Sequence, residues 1–263
     1  MITLSRLLIP SLAVLAAAQS SSNLCSAENK CPESQPCCNQ YGICGSGSAC
    51  MDGCDPLSSY SLAACAPKPV CQNGVYYFHN NSRIAQLNDY LGDASKYDWI
   101  VSGAYSNNDS NLFLQMPQYS GGAVIASTNY VWYGKITAIA KSSRGAGVVS
   151  SFILLSDVKD EIDVEWVGSD LSTAQTNLYF QAYPFYENSA NISGLSDTYD
   201  NWHTYVIDWT PDSITWSVDG VVGRVKTRNS TWNETSNIYN YPQTPARIQF
   251  SIWPGGNSTM PKG

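Results

Sequence analysis

Asp160-Glu161-Ile162-Asp163-Val164-Glu165-Trp166 alternates acidic and apolar side chains from Glu161 onward. Successive side chains of a strand point to opposite faces, so Glu161, Asp163 and Glu165 share one face while Ile162, Val164 and Trp166 share the other. The apolar face can pack into a core. The other face sets three acids in a row, whose mutual repulsion opposes the strand unless something is gained from it. A solvated acidic strand face is the bland reading of such a row, and glycoside chemistry is the sharper one. That chemistry uses two carboxyl groups about 5–5.5 Å apart for retention or roughly 6.5–9.5 Å apart for inversion. Cα atoms four residues apart on a strand are separated by about 13 Å. Two Glu side chains leaning toward each other on a strand curved around a concave sheet can close that to the retaining distance. Asp163 between them can hydrogen-bond the nucleophile. Crowded carboxylates also push one pKa upward, which keeps one glutamic acid protonated near neutral pH.

Working outward, the chain after Cys71 consists of alternating aromatic and β-branched segments separated by Gly, Asn, Asp and Pro. That pattern predicts an all-β domain. The expected strands are Tyr130 to Ala140, Val148 to Leu155, Glu161 to Val167, Asn177 to Tyr183, His203 to Trp209 and Ala246 to Trp253. Ser213 to Val218 and Val221 to Val225 flank Asp219-Gly220, a favoured two-residue hairpin turn. Ile84, Leu87 and Leu91 hint at one short helix. So many antiparallel strands imply two stacked sheets, a β-sandwich or jelly roll with a groove on one face.

The 263 residues carry 14 Lys and Arg against 21 Asp and Glu, a net charge of −7, which excludes nucleic-acid binding through basic patches. Charged residues are 13% and aromatics 12%, a balance that folds rather than stays disordered. Residues 1–18 combine an early Arg, an apolar stretch and terminal small residues, which predicts a cleaved secretory signal. The apolar stretch is too short for a membrane span, and no later segment is long enough, so no transmembrane segment is expected. Asn80, Asn108, Asn191, Asn229, Asn233 and Asn257 each begin an Asn-x-Ser/Thr acceptor and are candidate glycosylation sites. The expected location is extracellular.

All nine cysteines lie between Cys25 and Cys71, in a stretch almost without periodic apolar residues. In an oxidising compartment this predicts a disulfide scaffold, and the odd count leaves one thiol over. Zinc is the competing reading, but no His accompanies the cluster. No metal-ligand cluster, phosphate loop or Ser/His/Asp arrangement stands out, so no cofactor is expected. The division implied is a leader over 1–18, a disulfide-rich segment over 24–66 and a catalytic domain over 67–263.

The run Asp160 to Glu165, DEIDVE, resembles the catalytic signature ExDxE of glycoside hydrolase family 16. The flanking text GVVSSFILLSD, QTNLYF, NWHTYVIDWTPDSITWSVDG and PQTPARIQFSIWPGG resembles, more narrowly, the fungal Crh enzymes, which transfer chitin chains onto β-glucans in the cell wall. The resemblance implies a concanavalin-like jelly roll in which Glu161 is the nucleophile, Glu165 the general acid/base and Asp163 the residue assisting between them. It also places Gln249 and Trp253 in the sugar cleft, with Gln175 and Asn177 lining the same groove. Many members of that family carry a basic residue where this chain has Gln249. Tryptophan stacks on a pyranose face, and Gln249 can hydrogen-bond hydroxyls or an N-acetyl group. His203 falls in a shared block too, but a lone strand His reads first as a structural hydrogen-bonder.

CPESQPCCNQYGICGSGSAC resembles the hevein-type chitin-binding fold, family 18 among carbohydrate-binding modules. That resemblance implies pairing of Cys25 with Cys38, Cys31 with Cys44 and Cys37 with Cys50. It gives a sugar platform at Asn39 and Tyr41, with Ile43 and Ala49 standing where aromatics are usual. Weak chitin binding and a purely structural cap both follow from that substitution.

The expected function is a monomeric retaining transglycosylase with a chitin donor and a β-glucan acceptor. A β-glucan hydrolase on the same fold and a non-catalytic wall lectin are the alternatives. Members of the family continue past Pro261-Lys262-Gly263 with a Thr and a Trp-bearing segment, so the resemblance implies a chain incomplete at its C-terminus that folds poorly as written. A glycolipid anchor would lie beyond that point.

Overall fold

The strand beginning at Glu161 runs to Val167, and its neighbours build two layers around it. The computed structural model describes residues 23–51, 53–66, 70–79, 81–108, 110–183 and 188–256, so the expected leader lies outside the described residues. Along the chain come β1 (Cys37–Cys38), β2 (Cys44–Gly45), β3 (Ile84–Gln86), β4 (Trp99–Ser102), β5 (Ala104–Asn108), β6 (Asn111–Gln115), β7 (Ala123–Val131), β8 (Gly134–Ala140) and β9 (Val148–Ser156). They are followed by β10 (Glu161–Val167), β11 (Thr173–Tyr179), β12 (Ala190–Ser193), β13 (His203–Trp209), β14 (Ser213–Val218), β15 (Val221–Thr227), β16 (Trp232–Asn233), β17 (Ile238–Tyr239) and β18 (Ala246–Pro254).

Eight strands form one sheet in the order β12-β11-β10-β9-β18-β7-β4-β3, and four form a second in the order β15-β14-β13-β8. Pairing is antiparallel throughout these two sheets except between β3 and β4. The result is an all-β jelly-roll sandwich. Its core is the layer between the sheets. Ile162, Val164 and Trp166 of β10 meet Tyr205, Ile207 and Trp209 of β13 and Ile214, Trp216 and Val218 of β14, all buried. Each set sits at alternate positions, so a two-residue repeat in sequence becomes one dry face per strand. A large aromatic side chain in such a core is worth about 3–5 kcal/mol against alanine.

The turn between β14 and β15 is the Asp219-Gly220 hairpin, with Val218 opposite Val221. Asp219 and Gly220 take φ of 50° and 81°, the two positive values that a type I′ turn requires.

Three sequence expectations need correction. Tyr130 to Ala140 is not one strand: β7 ends at Val131 and β8 begins at Gly134. Tyr133 and Gly134 hold positive φ of 63° and 108°, and there the chain leaves the eight-stranded sheet for the four-stranded one. Unbroken aromatic alternation hides that crossing. The strand expected from Asn177 to Tyr183 runs instead from Thr173 to Tyr179, because Gln181 and Ala182 have positive φ and end it. The helix over Ile84, Leu87 and Leu91 is absent: Ile84 opens β3, Leu87 lies in a single 3₁₀ turn, and Leu91 is exposed. Among the described residues no helix is long and apolar enough to cross a membrane.

The cysteine-rich segment is joined by Cys25–Cys38, Cys31–Cys44, Cys37–Cys50 and Cys54–Cys65, leaving Cys71 free and exposed. The sulfurs of Cys25, Cys31 and Cys38 cluster within 4.8 Å, yet each is spent in a disulfide, so no thiolate is offered to a metal.

Candidate active site

Register places the expected site residues in rows across the eight-stranded sheet, on the face turned away from the core. In the first row Tyr179, Glu161, Leu155 and Arg247 lie side by side. The next holds Asn177, Asp163, Ile153 and Gln249, and the third Gln175, Glu165, Ser151 and Ser251. Val167, Val149 and Trp253 form the fourth. All three acids and all four expected sugar contacts therefore share one face. Gln249 and Trp253 stand two strands from the acids, about 10 Å at the usual inter-strand spacing.

The acids are not equivalent. Asp163 is fully buried, and its carboxyl is driven well above the usual range, first by burial and then by the charge of Glu161. Its Oδ1 has no hydrogen-bond partner among the described residues. The Asp163 and Glu161 carboxyls hydrogen-bond one another, an interaction that raises Asp163 and lowers Glu161. Asp163 is accordingly the protonated donor and Glu161 the acceptor. Burial raises Glu161, against the pull of Asp163 and of Lys159. Glu165 is raised by burial and, after that, by the charge on Glu161. All three carboxyls are pushed upward, the direction that keeps a carboxylic acid protonated for acid/base glycoside chemistry.

Several supports are invisible from the sequence run alone. Trp216 reaches from β14 across the core and donates its indole N–H to the Asp163 carbonyl at 3.0 Å. Arg224 stacks on Trp216, 4.6 Å to the ring centroid, and donates to the carbonyl and hydroxyl of Thr176 on β11. Asp160, immediately before the acids, is buried and belongs to the frame. Its Oδ2 accepts from the Gln243 and Thr244 N–H groups at 3.0 and 3.2 Å and from Thr244 Oγ1 at 2.7 Å, and its Oδ1 accepts from Gln181 N–H at 3.2 Å. Its adjacency to the acidic row is the single sequence cue to that role. Ser151 and Ser251 link hydroxyls at 2.6 Å on the floor beside Glu165. Asn177 donates from Nδ2 to Tyr179 Oη at 2.8 Å.

Other expected residues fall elsewhere. His203 is buried on the inner face of β13, with Nδ1 2.6 Å from Asp219 Oδ2 and Nε2 3.1 Å from Ser196 Oγ. This Ser/His/Asp constellation gathers at the start of β13 from a loop and the β14–β15 turn, and was not legible in the sequence. Tyr41 is exposed, whereas Asn39 spends its Oδ1 on the N–H groups of Tyr41 and Ile43 at 2.9 and 3.1 Å. Of the six glycosylation candidates, Asn108, Asn191 and Asn229 are exposed and Asn233 is half-buried, its Oδ1 accepting from Thr235 and Ser236 N–H. Asn80 and Asn257 lie outside the described residues.

Comparison with known proteins places the chain in a family. "Crh-like protein 3" of Botryotinia fuckeliana is 55% identical over 245 residues, covering 93% of this chain and 55% of that protein. "Crh-like protein 2" of Aspergillus fumigatus is 54% identical over 242 residues, covering 91% and 54%. The chain thus spans about half the length of these relatives. Among solved structures, the apo Crh5 transglycosylase superposes with a TM-score of 0.56 at 34% identity, over 63% of this chain and 67% of that one. A β-glucanase of Bacillus licheniformis superposes at 0.50 with 26% identity, over 61% and 80%. The profile of "Glycosyl hydrolases family 16" matches residues 93–263, the stretch that holds the acid row and every strand from β4 onward, and the chain belongs to that family.

Proposed function

We propose that this chain forms the catalytic groove of a retaining cell-wall transglycosylase that cleaves β-1,4-linked N-acetylglucosamine chains and passes them to a β-glucan acceptor. The observation that carries this reading is the acid row: Glu161 and Glu165 on one face, with buried Asp163 donating to Glu161. Similarity to Crh-like proteins and to a Crh5 transglycosylase solved in complex with NAG supports the transfer chemistry and the N-acetylglucosamine donor.

Glu161 attacks the anomeric carbon while the Glu165 carboxyl protonates the leaving oxygen, giving a glycosyl-enzyme ester on Glu161. As Glu161 loses its charge in the ester, the proton of Asp163 remains between them and stabilises the carboxylate when it is released. Glu165, now ionised, deprotonates an acceptor hydroxyl, and the new glycosidic bond forms with net retention. Transfer outruns hydrolysis when an ordered acceptor sugar reaches the ester before water does. Trp253 is the stacking surface proposed to order a ring, with Gln249, Gln175 and Asn177 as hydrogen-bonding partners.

The disulfide-rich segment is read as a hevein-like module over 24–66 with Tyr41 as its displayed ring, and the whole chain as a secreted, glycosylated wall protein. The second reading, a β-glucan endo-hydrolase, is favoured by the likeness to the Bacillus β-glucanase. Mass spectrometry of products from defined chitin and β-glucan oligomers separates the two. Hybrid chains carry the proposal; shortened glucans with no hybrid chain overturn it.

A further inference from the structure

The face that carries the acids is not open across its whole width. In the Asp163 row, the positions beyond Gln249 are Ala126, Ile100 and Ala85. All three are buried, at 9%, 4% and 5% exposure, although they lie on the groove side of the sheet. What buries Ala85 and Ile100 is a cluster with Ala66, Tyr90, Met51, Leu87 and Tyr97, of which Met51 and Ala66 belong to or directly follow the cysteine-rich segment. In the Glu161 row, Met51 Sδ accepts from Arg247 Nη1 at 3.6 Å, and Arg247 is itself buried. Arg247 stands two strands from Glu161, about 10 Å.

The docking is backbone against backbone. Gly47 N–H donates to the Tyr90 carbonyl at 2.8 Å, and Ser46 Oγ donates to the Asn88 carbonyl at 3.3 Å. Two glycines make this approach possible, one on each side. A Cβ on Gly47 would collide with the Leu87 carbonyl, and one on Gly92 with the Ala64 carbonyl; both glycines also hold positive φ, 60° and 89°. A segment tethered only by its linker has no need of such contacts.

One lane stays open. In the Glu165 row, Ser251 is followed by Val124 and Ser102, both exposed.

We propose that the cysteine-rich segment is a fixed wall of the groove: it closes the carboxylate face beyond Gln249 and Arg247, and confines a bound polysaccharide to the lane over Ser251, Val124 and Ser102. This deepens the proposed function and rests on its claim that a sugar polymer crosses the carboxylate face. The segment then sets how many sugars can lie on that side of the scissile bond, and in which direction they leave.

The test uses the full chain and two variants outside the catalytic machinery. Met51→Arg sets a like charge against Arg247, and Gly47→Ala places a methyl group on the Leu87 carbonyl. Hydrogen exchange of the Gly47 amide reads docking, and relative kcat/KM over a graded series of chitin oligomers reads the wall. In the wild type the Gly47 amide exchanges as slowly as the β13 and β14 amides, and the rate gain per added sugar stops early in the series. In either variant the backbone amide at position 47 exchanges faster, and the ratio of long-oligomer to short-oligomer rates changes several-fold while the shortest substrate is little affected. Fast Gly47 exchange in the wild type overturns the proposal, as does an unchanged length profile in a variant shown to be undocked. If chitin oligomers are inert and β-glucan oligomers react, the donor assignment fails, and the same length series on β-glucans still decides the wall.

Discussion

Trp216 and Asp163, 53 residues apart, are joined by a 3.0 Å hydrogen bond from the indole N–H to a main-chain carbonyl, and it is the four-stranded sheet's direct hold on the acid row. The indole approaches this strand carbonyl from the core side, while the Asp163 side chain lies on the opposite face, toward the groove. A core tryptophan thereby fixes the height and tilt of the residue that protonates toward Glu161. Arg224, stacked on the same ring, pins the neighbouring strand β11 through Thr176.

Trp216→Phe keeps most of the apolar ring and removes the donor, so the indole hydrogen bond to the Asp163 carbonyl is lost. The cost of the lost hydrogen bond is about 0.5–1.5 kcal/mol, which at this size lowers Tm by about 2–4 °C per kcal/mol. Because the lost bond positions β10 rather than sugar, kcat falls more than KM rises. Thermal unfolding and steady-state kinetics on one preparation check both halves; a normal kcat with a lowered Tm would show that the bond is structural alone.

Asp163 gives a pH signature. Its folded-state pKa is raised above the ordinary aspartate value, chiefly by burial. The folded protein therefore binds more protons than the unfolded chain between the two values, and stability is present below the unfolded pKa and lost as pH rises toward the folded one. Asp163→Asn removes that loss and still offers an N–H to Glu161. The variant is expected to gain on the wild type in urea midpoint from acidic toward neutral pH and to retain measurable turnover, whereas Asp163→Ala, which has no donor, loses turnover without restoring it at any pH. A pH-independent gap between wild type and Asp163→Asn would contradict the buried, raised carboxyl.

The strands with one wet and one dry face were legible. Glu161–Val167, His203–Trp209 and Ser213–Val218 follow from alternation alone, because burial on one face writes a period of two into the sequence. Trp99–Ser102 was not: Trp99 and Val101 pack on the core side, and Ile100 on the other face is covered by Tyr90, Leu87 and Tyr97 together with Met51 and Ala66 of the cysteine-rich segment. The acid row was legible for the same reason as its strand. Its supports were not, because Trp216, Arg224, Gln243 and Thr244 lie 48 to 84 residues away from the groups they hold, and register is a tertiary fact. The fourth disulfide, Cys54–Cys65, likewise needed coordinates to separate it from Cys71.

Asp160 tests how much of the site is frame. Four donors converge on its buried carboxylate from two different loops. Asp160→Ala strands those donors and costs about 3 kcal/mol or more, since hydrogen bonds to a charged group are worth roughly 1.5–3 kcal/mol each. Asp160→Asn keeps one acceptor and loses less. Both variants unfold earlier in urea, and activity per folded molecule drops only modestly. A fall in activity equal to that of Glu161→Gln at unchanged stability would instead move Asp160 into the chemistry.

The roles of Glu161 and Glu165 separate by the product each variant makes. Glu165→Gln loses roughly 10²–10⁴-fold in turnover. Because burial and the Glu161 charge raise the Glu165 pKa, the wild-type rate holds above the usual glutamate range and falls on the alkaline side as Glu165 deprotonates; the variant lacks that limb. With an activated aryl glycoside, leaving-group protonation matters little, so Glu165→Ala still forms the ester on Glu161. Added azide then attacks it and releases a β-glycosyl azide with net retention. Glu161→Ala cannot form the ester, and azide displaces the aryl group directly from the opposite face, giving the α-azide. NMR of the two products distinguishes them. The same anomer from both variants would exclude a nucleophile at Glu161 and, with it, the double displacement.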